Sequence, residues 1–328
     1  MKEIIKEKKG IHRIPPENFN AKDLIHFDSD LDGGIGEIHL LKVLNALIIQ
    51  RYLFKNLVIL EDYVHTHGVT FSTRMKAALK PLFFWKRDGE FAKAIWPLDT
   101  WSKGYFHWLT DFLPRCISAE GYWDDYPVLV PSYYLELDYI RETCEIFPFK
   151  TLPFSISGSY RVNALIVPTR LTSCAFDTDQ IKKVRSYFRD FDEFEFSQNR
   201  KIYISRKKSL RRKVLNEEEL EQSLEVLGFQ IVCMEDLNFK DQRHLLSETK
   251  ILLSNHGAGL TNMIFLPNEA KVIELKADVP TINNCFFNLA RALDHEYYYT
   301  MNWSESTDIQ KADIRVDINL LMNLLNRL

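Results

Sequence analysis

From about residue 160 onward, short apolar runs alternate with amphipathic stretches of helical period, and few folds accept that rhythm. Strands joined by whole helices pair in parallel, and a parallel sheet must be covered on both faces. Strands are expected at Asn163–Val167, Lys201–Ser205, Phe229–Cys233, Ile251–Ser254 and Lys271–Leu275. Helices are expected over Asp177–Phe188, from Asn216, over Asn238–Ser247, from about Ala258 and over Asn283–Leu293. Asp177 reads as an N-cap, Asn216 with Glu219 as a variant capping box, and Gly228 as the stop of that same helix.

The first 160 residues are less regular. They hold strand candidates at Leu57–Leu60 and Val128–Val130, with helices expected near Ile38–Gln50, Gly104–Cys116 and Tyr133–Phe147. A second α/β domain is the economical reading, giving a division of 1–170 and 171–328. The stretch Asp313–Leu328 reads as an amphipathic helix.

Composition excludes some functions. With 42 Lys and Arg against 45 Asp and Glu, the formal net charge is -3, so the chain is not built to coat nucleic acid. Any basic site must be local. Five cysteines with no CxxC pair predict reduced thiols and a cytoplasmic chain. The charged N-terminus leads to no apolar signal region, and no run is long enough to span a membrane, which leaves only a peripheral membrane association open.

Three segments carry chemistry. Ser254-Asn255-His256-Gly257-Ala258-Gly259-Leu260-Thr261-Asn262 sits where a strand gives way to a helix. Its glycines allow close backbone approach, and helix-start N–H groups favour a phosphate; an ordinary turn has the same spacing. The run Arg206–Lys213 places six cations in eight residues just after a strand, suited to a diphosphate, though a solvated loop or a nuclear-localisation-like run reads the same way. In Gly104–Arg115, His107 and Asp111 stand four apart on one helix face among Phe106, Trp108, Leu109, Phe112 and Leu113. Such a pair is either a general base with its partner or a core histidine in a salt bridge.

Lesser signals remain. Asp28–His39 matches a calcium loop at positions 1, 3, 5 and 6, but His39 stands at the twelfth, where a bidentate Glu is needed; a Gly-rich loop entering a helix at Ile38 is the simpler reading. His65-Thr66-His67 reads as a loop pair. Glu274, at a strand end, is either a ribose ligand or solvent-facing.

The segments His256–Leu275 (HGAGLTNMIFLPNEAKVIEL), Tyr203–Leu220 (YISRKKSLRRKVLNEEEL) and Phe106–Arg115 (FHWLTDFLPR), with the strand NALIVP before them, resemble glycosyltransferase family 61. That family includes plant xylan-decorating transferases, animal protein O-linked N-acetylglucosaminyltransferases and bacterial proteins of polysaccharide and capsule biosynthesis. The resemblance implies an α/β fold of GT-B type, with two Rossmann-like domains built on parallel sheets and facing across a cleft. It implies inverting transfer from a nucleotide-sugar donor, usually UDP-linked, to a glycan or glycoconjugate acceptor, with no metal or other cofactor. By that resemblance Arg206 and Arg212 would bind the diphosphate. His256, Gly257, Ala258 and Gly259 would line the phosphate loop, Thr261 and Asn262 would shape its helix start, and Glu274 would meet the ribose. Asp111 would be the base and His107 its orienting partner, or the reverse. The aromatic residues between Trp101 and Trp123 become candidates for stacking on sugars. A nucleotide-sugar epimerase of the same architecture, or a non-catalytic glycan- or calcium-binding protein, is the competing expectation.

Overall fold

The computed structural model describes residues 1–60, 71–83, 87–192, 200–280 and 283–328, so the His65-Thr66-His67 pair lies outside the described residues. The chain divides into two compact units, one of Met1–Lys9 with Ile35–Ser173, the other of Gly10–Gly34 with Cys174–Leu328. The expected division at residue 170 is therefore incomplete, because Gly10–Gly34 belongs with the C-terminal half.

Near the N-terminus β1 (Lys2–Lys6) is followed by β2 (Lys9–His12) and β3 (Asp32–Ile35), which pair with each other. The first unit then adds β4 (Ile38–Ile49), β5 (Tyr52–Lys55), β6 (Val58–Ile59), β7 (Gly89–Ile95), β8 (Val128–Pro131), β9 (Thr151–Phe154) and β10 (Ser159–Pro168). Its sheet runs β6-β5-β4-β10-β7-β8-β9, with β1 also on β4. β7 to β10 pair in parallel, whereas β4 is antiparallel to β1, β5 and β10. The sheet is mixed, which corrects the expectation of two parallel sheets.

The helix expected near Ile38–Gln50 is β4. Its buried positions Leu40, Val43 and Ala46 fall three apart because the strand buries residues on both faces, Leu40 and Ala46 on one and Val43 on the other, in an unbroken register with β10. That spacing imitates a helical stripe.

The second unit follows the expected rhythm. Its strands β11 (Arg200–Ile204), β12 (Phe229–Val232), β13 (Thr249–Asn255), β14 (Lys271–Ala277), β15 (Glu296–Ser304) and β16 (Ile314–Arg315) lie in the order β12-β11-β13-β14-β15-β16. All pairs are parallel except β15 with β16. Ile251, Leu253, Ile273 and Leu275 bury into a cluster with Leu220 and Leu224 of the helix Glu217–Val226 and Leu321 of the helix Ile318–Leu325. Leu252 and Val272, pointing to the opposite face, are also fully buried. Each such side chain contributes roughly 1.5–3 kcal/mol through burial.

Local expectations fare unevenly. The Asp177 carboxylate caps the helix Thr178–Asp192 through Gln180 N at 3.0 Å, and Gly228, at φ 79°, ends the helix Glu217–Val226. Asn216 makes no cap bond; its amide spans Val316, accepting from the N–H at 2.9 Å and donating to the carbonyl at 3.0 Å. The segment from Ala258 is a 3-10 helix, Ala258–Phe265, rather than an α-helix. The helix expected over Asp313–Leu328 is confined to Ile318–Leu325, after β16.

Nor is Asp28–His39 a loop. Asp28 and Asp30 lie in the helix Leu24–Leu31, and the Asp30 carboxylate accepts from Asn284 Nδ2 at 2.8 Å and Asn288 Nδ2 at 2.6 Å. Among the described residues, no helix is long and apolar enough to cross a membrane.

Candidate functional site

Numbered from β11, the first five strands of the second sheet stand in the order 2-1-3-4-5. The chain reverses direction between β11 and β13, so the loops leaving these two strands part and open a crevice at their carboxyl ends, where doubly wound sheets bind ligands. The loop after β11 begins Ser205-Arg206, and the loop after β13 begins His256-Gly257. The two cation- and glycine-rich segments thus meet at the switch point.

Hydrogen bonds tie them together. Ser254 Oγ donates to Ile204 O at 2.9 Å, and Asn255 Nδ2 donates to Arg212 O at 2.7 Å. Arg206 Nε donates to that same carbonyl at 3.1 Å, while its Nη2 donates to Ser209 Oγ at 2.8 Å and Arg211 O at 3.1 Å. Its Nη1 lies over the α-carbon of Gly257, where any Cβ would collide with it. Gly257 has an extended backbone at φ 173°, so the glycine is needed for space rather than for conformation.

At Gly259 a Cβ would press on Ile204 at 3.1 Å, so this glycine also serves close approach. Arg212 takes the left-handed region at φ 55°, a costly position for a long side chain, and its buried Nε has no partner among the described residues. Burial and the mutual repulsion of Arg206 and Arg212 depress the Arg206 pKa, while burial is the main cause for Arg212. Two guanidinium groups, partly withdrawn from water, are the kind of donors that could hold an anion. The lysines of the run turn elsewhere: Lys207 pairs with Glu221 at 3.3 Å, and Lys208 with Asp236. The first turn at Ala258–Phe265 adds N–H groups that lack intrahelical acceptors. In this segment Thr261 and Asn262 are buried, and Ala258 is exposed.

Glu274 does not stand where a ribose could reach it. The carboxylate is fully buried on β14, one oxygen taking His256 Nδ1 and the other the Tyr297 hydroxyl, with Lys276 Nζ at 3.7 Å. Burial pushes its pKa up, but Lys276, His256 and Tyr297 outweigh it and bring it down to about 2. Burial depresses the His256 pKa despite Glu274. A neutral imidazole whose Nδ1–H donates a hydrogen bond to a carboxylate leaves Nε2 for a ligand, and the carboxylate fixes the ring. Lys276 and Tyr297 carry no local motif, and only the pairing of β14 with β15 brings Tyr297 to Glu274.

The first unit holds the other pair. A helical segment runs α over Tyr105–His107, π over Trp108–Phe112 and α again over Leu113–Ser118. Pro114 has no N–H for the carbonyl of Thr110, which favours the wider turn; π-turns are frequent at functional sites. Trp108 and Phe112 stack at 3.7 Å in the core. His107 Nδ1 meets Asp111 Oδ2 at 2.6 Å, with the side chains 24% and 14% exposed. The contact occupies Nδ1 and leaves Nε2. Arg115, fully buried, donates to Pro168 O at 2.9 Å and ties the segment to β10.

The sequence pattern of the family described as Glycosyltransferase 61 matches residues 105–273, just over half of the 328-residue chain. The EGF domain-specific O-linked N-acetylglucosamine transferase of Drosophila melanogaster is 43% identical over 93 residues, 27% of this chain and 17% of that protein. Proteins of the same description from Rattus norvegicus and Canis lupus familiaris are 35% and 36% identical over 107 residues, 31% of this chain and 19% of each relative. The matches thus span less than a fifth of those relatives. The family's matched stretch opens at the segment carrying His107 and Asp111 and closes at the residue before Glu274, enclosing both basic and glycine loops, and the chain belongs to glycosyltransferase family 61.

Proposed function

We propose that the chain transfers a sugar from a nucleotide diphosphate sugar to a hydroxyl of a glycan or glycoconjugate. The observation that carries this is the Arg206 guanidinium, fixed over Gly257 and against the Arg212 backbone at the switch point of the second sheet. A diphosphate leaving group gains negative charge as the sugar departs. Arg206, Arg212 and the amides at Ala258–Phe265 would stabilise it, each strong donor worth roughly 10²–10³ in rate. In this reading they replace a bound metal, and chelator should leave activity intact.

Inversion requires a base on the acceptor hydroxyl. With Nδ1 held by Asp111, His107 Nε2 would take the proton, while Asp111 fixes the tautomer and stabilises the imidazolium. This is the reverse of the order that the resemblance put first. Glu274 positions His256 rather than meeting the ribose.

Uridine diphosphate is the family's usual leaving group, and the relatives' names add N-acetylglucosamine as a donor sugar to try. The test is product analysis with a panel of UDP-sugars, offered first alone and then with oligosaccharides or an EGF domain. A transferase releases UDP and forms a new glycoside only with acceptor present. Isomerised donor in the absence of acceptor would make the chain an epimerase instead.

A further inference from the structure

We propose that Trp101 is the platform on which the acceptor's sugar ring stacks beside His107; this rests on His107 as the base. Trp101 is 41% exposed, in a loop whose other anchors are buried. Asp99 Oδ1 accepts from Trp101 N at 2.8 Å and from Ser102 Oγ at 2.9 Å, and Ser102 Oγ accepts in turn from Asp99 N at 2.9 Å. The other carboxylate oxygen takes Arg170 Nε at 2.8 Å, in an ion pair whose side chains are 0% and 8% exposed. Gly104 N donates back to Trp101 O at 2.8 Å.

A buried ion pair adds little net stability, but it fixes geometry, and here that geometry presents one large aromatic to solvent. The indole lies 4.9 Å from the His107 ring, tilted by 38°, with the Arg170 guanidinium carbon 5.7 Å from its centroid. An indole held in place binds a pyranose through the sugar's C–H face at little cost in ordering. The acceptor is the partner this position suits, because His107 Nε2 must come within about 2.6–3.2 Å of the hydroxyl it deprotonates. A ring lying on Trp101 has hydroxyls beside that imidazole.

Two measurements test this. In ¹⁵N-labelled protein, with Trp101→Phe identifying the signal, the Trp101 indole N–H should shift on adding methyl glucoside, methyl galactoside or methyl xyloside, and not on adding UDP. In transfer assays Trp101→Ala should raise the acceptor KM by about tenfold or more, leave donor KM unchanged and be partly rescued in Trp101→Phe. No shift with any glycoside in folded protein overturns the proposal. So does a Trp101→Ala variant with unchanged acceptor KM whose loss lies in kcat and its pH profile, since the indole would then act only through His107. If His107→Ala keeps full activity, the base assignment fails; if it is inactive while Trp101→Ala is normal, the platform alone fails.

Discussion

The guanidinium of Arg206 fills the space that a side chain at Gly257 would need, its Cζ only 2.8 Å from where a Cβ would sit. One residue's lack of a side chain is the condition for the other's position. Gly257→Ala should therefore act on the ligand site and not on the backbone, whose φ of 173° suits alanine. Expelling Arg206 should weaken UDP binding by about tenfold or more, with thermal stability nearly unchanged. Because both changes remove the same interaction, Gly257→Ala with Arg206→Ala should bind no more weakly than Arg206→Ala alone. Additive losses would separate the two residues.

Glu274 offers a contrast between positioning and ligand roles. A carboxylate buried among His256, Tyr297 and Lys276 cannot lose its charge without leaving Lys276 unmatched. Glu274→Gln should thus cost about 3–5 kcal/mol in denaturant unfolding. A ribose ligand at an open strand end would lose affinity and keep its stability.

The pair in the first unit gives a kinetic prediction. Asp111→Asn should lower kcat by about 10²–10⁴ with donor affinity retained, and His107→Ala by at least as much. Full activity in His107→Ala would place the base elsewhere.

His295 sets an acid limit on stability. It is buried, Nε2 meets Met263 O at 3.0 Å, and burial lowers its pKa from 6.5 to about 3. The folded pKa lies below the unfolded one, so below 6.5 the unfolded chain binds the extra proton. Stability is then lost progressively as pH falls from 6.5 toward 3, by about 2 kcal/mol at pH 5. Denaturant titrations at pH 7.5 and pH 5 should show this loss reduced in His295→Asn; an equal loss in both proteins would assign it to other groups.

The second unit was legible because a parallel sheet buried on both faces writes each strand as an apolar run between helices. The loops at its strand ends were legible because they break that rhythm with glycine and arginine. What the sequence hid depends on distant partners. Asn216 has a capping residue's spacing, yet its amide is taken by Val316, 100 positions away. Glu274 reads as a strand end, but β14 runs on to Ala277 and β15 covers the carboxylate with Tyr297. In β4 burial on both faces spaced the buried residues like a helix, and the antiparallel partners β1, β5 and β10 reveal a strand.

Calorimetric titration of the folded chain with UDP and with uridine bears most directly on the diphosphate site. The account predicts that UDP binds, that uridine binds far more weakly, and that Arg206→Ala and Arg212→Ala each weaken UDP by about tenfold or more while leaving the weak uridine signal unchanged. Wild-type affinity for UDP in both arginine variants, or no UDP binding by the folded wild type, would contradict it.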